Sequence, residues 1–403
     1  MRFLFYSHDG LGLGHTRRHL AIAKALTQQA PAVSVLLASG AEEIIRFGLP
    51  PHVDVLKLPG LRKITNEQYL SRRLQMSASE IRSLRSALLE TAVKSFRPTV
   101  VLVDKHPFGA KGEFRDGLEV LRAQGGRAVL GLRDILDQPS TVLQEWAAYD
   151  MQDLIAEFFD LILIYGEQTV FDPISAYDFS SGMAERTRFC GYVVDRDQDE
   201  MRGDLTGPLK VKDRSRPVVL GTAGGGEDGF FLLETFIRAS AGAPWQAIAV
   251  TGPMTSRQEY RTLKNLAARA QVSLYTFVPN LPRLFSSVDA LVTMGGYNSL
   301  AEAASKGVPT VCVPRTTPRL EQWLRATAFE RIGLLSVLRP EELSTDNLSH
   351  AIRAATGCSR EELRNRVRGH LGFDGAAAAA AHLLALAADP ALVSASVDEK
   401  VMT

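Results

Sequence analysis

Cysteine is nearly absent: Cys190, Cys312 and Cys358 are the only three in 403 residues, odd in number and far apart. No disulfide framework or zinc-knuckle spacing can be built from them, and a reducing cytosol suits such a chain. An excess of one charge is missing too. With 46 Lys and Arg against 45 Asp and Glu the net charge is +1, so bulk electrostatics gives nucleic acid no footing as a partner. Long apolar runs are also lacking. Ala376–Ala388 is interrupted by His382 and falls short of the ~20 residues of a membrane span. The N-terminal MRFLFYSHDGLGLGH has too short an apolar stretch for a signal peptide. The expectation is a cytoplasmic protein, peripheral to the inner face of a membrane at most. An apolar share of 45% and a charged share of 23% exclude a disordered or collagen-like chain, and the length allows two or three domains.

What is present is alternation. Arg2–Ser7, Val33–Ala38, Val53–Leu58, Thr99–Val103, Ala128–Leu132 and Leu161–Tyr165 are short apolar runs. The first is followed by the helical period Leu20, Ile22, Ala23, Leu26 within Thr16–Gln29. Strands alternating with helices predict a parallel sheet covered on both faces. A polar stretch after Tyr192 has charge, Gly and Pro without apolar period and reads as a linker. Alternation then restarts: strands Pro217–Gly221, Gln246–Thr251, Ser273–Phe277, Ala290–Thr293 and Thr310–Val313, with helices Phe230–Ala241, Gln258–Ala270 and Ser299–Ser305. The organisation expected is an N-terminal Rossmann-like domain over 1–195, a linker over 196–215, a C-terminal Rossmann-like domain over 216–373, an Ala-rich terminal helix over 374–390 packing back on the first domain, and a tail over 391–403. Arg62–Arg97 is mostly helix-forming. Its Arg62, Arg72, Arg73, Arg82, Arg85 and Arg97, with Lys63 and Lys94, offer a basic face for phospholipid or an anionic acceptor, but interspersed Glu67, Glu80 and Glu90 favour plain solvation.

Three glycine-rich turns carry the chemistry. Gly10-Leu11-Gly12-Leu13-Gly14-His15 lies between a strand and a helix, where backbone can approach a ligand and a helix N-terminus offers N–H groups to an anion. Its spacing is not G-x-G-x-x-G, and the next strand ends in Ser39-Gly40 without an acid, which argues against NAD. His15 stands where strand ends meet ligands, and an imidazole can take a proton from an attacking hydroxyl; a solvated or capping histidine is the alternative. His15 and His19 share a helical turn, but no third ligand is evident, so no metal site is assigned. Gly221-Thr222-Ala223-Gly224-Gly225-Gly226 repeats the strand–turn–helix pattern without the Gly-Lys-Ser/Thr ending of a nucleoside-triphosphate loop. The third turn, Gly295-Gly296-Tyr297-Asn298-Ser299, leads to Glu302. Ser299-x-x-Glu302 fits a capping box; equally, Glu302 suits two ribose hydroxyls. Asp195-Arg196-Asp197 is formally D-x-D but sits in the linker and reads as solvated charge. Asp104 and His106, and Arg133 beside Asp134, end strands and face an acceptor or a plain polar loop about equally.

Together these residues resemble glycosyltransferases of the GT-B fold: two Rossmann-like, doubly wound α/β domains facing a central cleft. The resemblance is to the group of the lipid II-forming peptidoglycan N-acetylglucosaminyltransferase, with its family-28-type C-terminal domain. It is carried by GLGLGH, by Gly221–Gly226, by Phe277-Val278-Pro279-Asn280-Leu281, and by Gly295-Gly296 through Glu302, Gly307-Val308-Pro309, Pro314 and Glu321-Gln322. Residues 60–215 match poorly, as an acceptor-binding half would. The second loop reads TAGGGED where that group often has Gly-Ser-x-Gly-Ala.

The resemblance implies a nucleotide-sugar donor, UDP-linked (a UDP-N-acetylhexosamine, for example), and an acceptor hydroxyl on a small molecule, glycan or lipid-linked molecule. It gives the base contact to Val278, the ribose to Glu302, and the diphosphate to Gly14, Thr222, Gly224, Gly225, Gly226, Gly295, Gly296, Asn298 and Ser299. Sugar hydroxyls fall to Glu321 and Gln322. His15 becomes the general base or else helps to position the acceptor and the diphosphate; Gly12, with the strand-end residues Asp104, His106 and Arg133, makes up the acceptor-side candidates. No cofactor or metal is expected, because helix N-termini and glycine amides can take the charge growing on a departing diphosphate as the sugar is inverted. A sugar-nucleotide epimerase of the same fold, disfavoured by the GLGLGH opening, and a non-catalytic nucleotide-sugar-binding protein are the rivals.

Overall fold

The computed structural model describes residues 1–8, 14–41, 44, 48–63, 69–195 and 215–388. Gly12, the stretch 196–214 and the tail beyond 388 lie outside these. Fifteen strands run in chain order as β1 Arg2–Ser7, β2 Ser34–Ser39, β3 Val53–Lys57, β4 Leu61–Lys63, β5 Tyr69–Ser71, β6 Val100–Asp104, β7 Arg127–Arg133, β8 Leu161–Tyr165, β9 Thr187–Phe189, β10 Val218–Thr222, β11 Gln246–Val250, β12 Ser273–Tyr275, β13 Ala290–Thr293, β14 Thr310–Cys312 and β15 Ser336–Val337. All but the β4–β5 hairpin enter two parallel sheets, ordered β3-β2-β1-β6-β7-β8-β9 and β12-β11-β10-β13-β14-β15. Their central strands are buried along their whole length, β6 and β10 at every residue. That is why they read as unbroken apolar runs rather than alternating ones.

Each sheet reverses its winding once, and there the ends of two strands diverge and leave a crevice. In the first sheet the reversal lies between β1 and β6, paired as Tyr6 with Val103. In the second it lies between β10 and β13, paired as Thr222 with Thr293. The glycine turns after β10 and β13 open at the second switch point, and the helix that begins at Gly14 starts beside the first.

The stretch after residue 60 differs from expectation. The β4–β5 hairpin comes first, and the helix covers only Ala78–Phe96, started by a capping box of Ser77 and Glu80. Arg85 does not belong to a solvated or lipid-facing surface. It is fully buried, its Nη2 2.5 Å from Glu113 Oε1, because a row of like side chains on an amphipathic helix still turns one of them inward, where only a paired carboxylate can hold it.

The C-terminal helix Gly375–Ala387 lies on the helix Gly14–Gln29 of the first sheet, where Gln29 Nε2 donates to Ala377 O at 2.9 Å. Ion pairs also join the halves, one of them fully buried and one partly exposed. Arg325 Nη2 lies 2.6 Å from Asp134 Oδ1, and Arg319 Nη1 lies 3.0 Å from Asp137 Oδ2. No helix among the described residues is long and apolar enough to cross a membrane.

Candidate active site

His15 is the second residue of the helix Gly14–Gln29 and is only 6% exposed. Its Nδ1 lies 2.9 Å from Oδ2 of Asp104, the last residue of β6. The two are far apart in the chain and meet because β1 and β6 are neighbours at the switch point. Asp104, expected to face either an acceptor or a plain polar loop, has a carboxylate held by Arg18 and His15. Arg18 Nη2 donates to Oδ2 at 2.7 Å and to Oδ1 at 3.0 Å, and Arg18 Nε adds a bond of 3.2 Å. Arg18 follows His15 by three positions, one helical turn on the same face. The pair of guanidinium and imidazole holds the Asp104 carboxyl well below the usual carboxylate range, against its burial. Burial in turn keeps His15 well below an ordinary histidine, with Arg133 and Arg18 acting in the same direction and Asp104 opposing them.

Arg133 ends β7, and its Nη2 lies 2.7 Å from His15 Nε2. Arg18 Nη2 also lies 3.0 Å from Nδ1, drawn there by its own bonds to Asp104; with the Arg133 guanidinium donating to Nε2, that nitrogen carries the lone pair and Nδ1 carries the proton toward Asp104. His106 is half-buried with its ring 4.5 Å from that of His8, centroid to centroid. Its titration is pushed well below the ordinary value by burial first, then by the neighbouring His8, Lys105, His15 and Arg319.

The second half supplies the facing wall. A cleft of about 280 Å³ runs from Gly14 and Arg133 to Thr222, Gly224, Gly225, Val278 and Gly296. Gly226 has φ +94°, and a Cβ there would come 2.5 Å from Thr251 O, so that position is closed to any side chain. Thr222 is buried, its hydroxyl accepting from Gly224 N at 3.3 Å. The helix Tyr297–Ser305 is capped by Gly296 without a side-chain hydrogen bond. Ser299 therefore lies inside the helix, and the capping-box account of Glu302 is overturned: the helix starts two residues earlier than its apolar pattern suggests, because Gly295 (φ +83°) makes the turn and leaves the first-turn N–H groups aimed at the cleft.

Glu302, 7% exposed, is instead paired across the cleft with Arg17, Nη2 to Oε1 2.5 Å. Burial nonetheless keeps its carboxyl above the ordinary value. Asn298 Nδ2 donates to Gly14 O at 3.3 Å. Arg315 holds both residues of the Glu321–Gln322 pair: its Nη2 donates to Glu321 Oε1 at 2.9 Å and its backbone N to Gln322 Oε1 at 3.2 Å. Glu321 Oε2 is buried without a hydrogen-bond partner among the described residues.

The structure thus gathers Arg133, residues of the two C-terminal glycine turns and Glu302 around one cleft, with His15 and Asp104 buried directly behind Arg133. It adds Arg17, Arg18 and Arg325, which sequence reasoning missed. For the first two a signal existed: they directly follow His15 on a helix whose first turn already faces a ligand.

Beneath this site His19, 2% exposed, packs on Phe5 with ring centroids 5.4 Å apart. Burial lowers its titration to about 4. The unfolded chain takes up a proton near pH 6.5 that the folded one refuses, so stability present above pH 6.5 is lost as pH falls toward about 4. The expected loss is about 3 kcal/mol. It is read as the difference in urea midpoints against pH between the native protein and His19→Gln; identical slopes would remove His19 from the account.

Residues 232–366 match the Glycosyltransferase family 28 C-terminal domain. Over 136 residues the chain is 28% identical to the UDP-N-acetylglucosamine–N-acetylmuramyl-(pentapeptide) pyrophosphoryl-undecaprenol N-acetylglucosamine transferase of Bacillus pumilus, covering 33% of this chain and 37% of that protein. Over 251 residues it is 26% identical to the NDP-glycosyltransferase YjiC of Bacillus subtilis, covering 61% and 59% respectively. The chain thus matches less than two thirds of the length of either relative. The fold as a whole is similar to the crystal structure of Acinetobacter baumannii MurG, with a TM-score of 0.60 at 13% identity over 95% of this chain and 99% of that one. The two facing parallel domains are a GT-B fold.

Proposed function

We propose that this chain, whose residues 232–366 form a family 28 glycosyltransferase C-terminal domain, is a GT-B glycosyltransferase that moves a sugar from a nucleotide donor to an acceptor hydroxyl with inversion. The observation that carries the reading is the His15–Asp104 pair, 2.9 Å apart, which lies directly behind Arg133 in one wall of a cleft whose other wall holds glycine turns, an uncapped helix start and a buried carboxylate at Glu302. His15 Nε2 takes the acceptor's proton, the acceptor oxygen attacks the anomeric carbon, and the bond from that carbon to the diphosphate oxygen breaks with its electron pair leaving on the diphosphate. Asp104 orients the ring and stabilises the imidazolium. The amides at 224–226 and the start of the helix Tyr297–Ser305 take the developing charge, which is work a metal would otherwise do. The named donors of relatives and the UDP bound in one solved neighbour, an anthocyanidin 3-O-glucosyltransferase, support a UDP-linked sugar, with Val278 at the base, Glu302 at the ribose, and Glu321 and Gln322 at the sugar. The free cysteines suit a cytoplasmic reaction, and the acceptor is a small molecule, a glycan or a lipid-linked molecule at the membrane face.

A panel of UDP-, TDP- and GDP-sugars tests the donor: UDP-sugars are expected to raise the thermal midpoint most, because a ligand held only by the native state stabilises it. Glu302→Ala should weaken UDP about tenfold, the scale of a charge-assisted hydrogen-bond pair, while Arg17→Ala should not. A panel without any shift sinks the nucleotide reading. Equal weakening by both variants would mean that Glu302 serves the Arg17 pair rather than a ribose.

A further inference from the structure

The atom that has to accept the proton is already occupied. His15 Nδ1 faces Asp104, and Nε2 has Arg133 Nη2 at 2.7 Å. A guanidinium in a protein is always charged and is only a donor, so this contact uses up the lone pair with which His15 would act. Before any acceptor hydroxyl can be deprotonated, Arg133 has to leave.

Where it goes is written in its surroundings. Arg18 and Arg325, the two guanidiniums nearest it electrostatically, each have a buried carboxylate, Asp104 and Asp134. Arg133 has none within ion-pairing distance among the described residues: Asp104 and Glu321 act on it only from further off, its hydrogen-bond partner is an imidazole, and its Nε is buried without a partner. It lines the same cleft as Gly224 and Gly225, the turn whose amides the reading above gives to the donor diphosphate. A half-buried cation with an unpartnered Nε, lining the same cleft as that turn, is biased toward an anion that arrives there.

We infer that Arg133 is a donor-operated cap on His15: its guanidinium closes Nε2, and the diphosphate of a bound nucleotide sugar draws it off, baring the base and placing a cation on the leaving group. The inference rests on the donor reading given above. It makes Arg133 a positioning residue that links the two walls of the cleft, and it makes donor binding the step that arms the base. An acceptor reaching the site first meets a histidine with no lone pair to offer.

The test follows the His15 imidazole by ¹⁵N NMR, with UDP as the probe. The groups facing that ring are Asp104, Arg18, Arg133, His8 and His106. Burial, Arg133 and Arg18 hold it low in the free protein, so removing one cation should raise it. In the native protein UDP is expected to move the His15 titration upward by about one pH unit or more, a tenfold change in proton affinity. In Arg133→Gln the titration starts higher and UDP moves it less, since only the direct field of the diphosphate remains. The same variant should weaken UDP about tenfold and uridine hardly at all, a split that a merely structural residue would not produce, and Arg133→Lys should restore part of it. UDP that binds the native protein without shifting His15, or that shifts native and Arg133→Gln equally, overturns the cap while leaving the donor reading intact. UDP that does not bind the native protein takes both down.

Discussion

Replacing His15 with alanine is expected to lower turnover by ~10²–10⁴-fold, the range that positioned general bases contribute. UDP affinity should stay within about threefold of the native value, because no donor contact of the C-terminal wall is touched. Initial rates with a UDP-sugar and an accepted acceptor, set beside calorimetric UDP binding, read both numbers; full turnover in the variant would remove His15 as the base. Asp104→Asn is the less clean experiment. The same carboxylate neutralises Arg18, which is 2% exposed, and stripping one partner from a buried pair costs ~3–5 kcal/mol in stability. The pH profile adds a sign. His15 is held well below the ordinary histidine value by burial, Arg133 and Arg18, against the pull of Asp104, so the free protein keeps a neutral imidazole well below pH 6.5. The acid limb of kcat/KM is expected there, while the limb of kcat, which reports the donor complex, should lie higher once Arg133 has moved toward the diphosphate.

Much of this site can be read from the sequence one residue at a time, and little of it as pairs. GLGLGH identifies His15, and Asp104 stands out as a polar residue ending an apolar strand. Nothing local says that they touch; that follows only from β1 and β6 being neighbours where the sheet reverses. The strands are legible because burial on both faces writes them as apolar runs. Arginines are legible as charges but not as partners. Arg85 in a basic row and Arg17 and Arg18 on an exposed-looking helix turn all end against carboxylates from distant segments, Glu113, Glu302 and Asp104. A charge's fate depends on what the fold brings opposite it, and single-sequence patterns hold no information on that. Ser299 shows the converse error. Its spacing to Glu302 satisfies a local rule, but the glycine turn at 295–296 starts the helix earlier, and the backbone conformation rather than the side-chain pattern decides where a cap can be.

Asp134→Ala is expected to destabilise the protein by ~3–5 kcal/mol and to loosen the two halves as well. Asp134 follows β7 directly, and Arg325 lies on the helix Glu321–Arg331 of the second sheet; both side chains are 1% exposed. The guanidinium gives Asp134 bonds of 2.6 Å from Nη2 and 2.9 Å from Nε, and Tyr192 Oη adds one of 3.2 Å. Without the carboxylate, Arg325 retains only carbonyl acceptors, Ile135 O at 3.2 Å and Gly295 O at 3.4 Å, which do not neutralise a buried charge. The urea midpoint should fall accordingly. Arg325→Met combined with Asp134→Ala should recover part of the loss, because the cost of the single change is mostly the stranded cation rather than the lost attraction. If the single variant loses less than about 1 kcal/mol, water reaches the pair and the junction is not dry. The position of the pair gives this result a bearing on function. Arg325 touches Gly295 O, the turn that starts the helix Tyr297–Ser305, and Asp134 adjoins Arg133, the cap on His15. The junction that holds the halves together therefore also sets the spacing between His15 and the glycine turns proposed to take the diphosphate, and a variant that loosens it should lose turnover with a saturating donor even at temperatures where it remains folded.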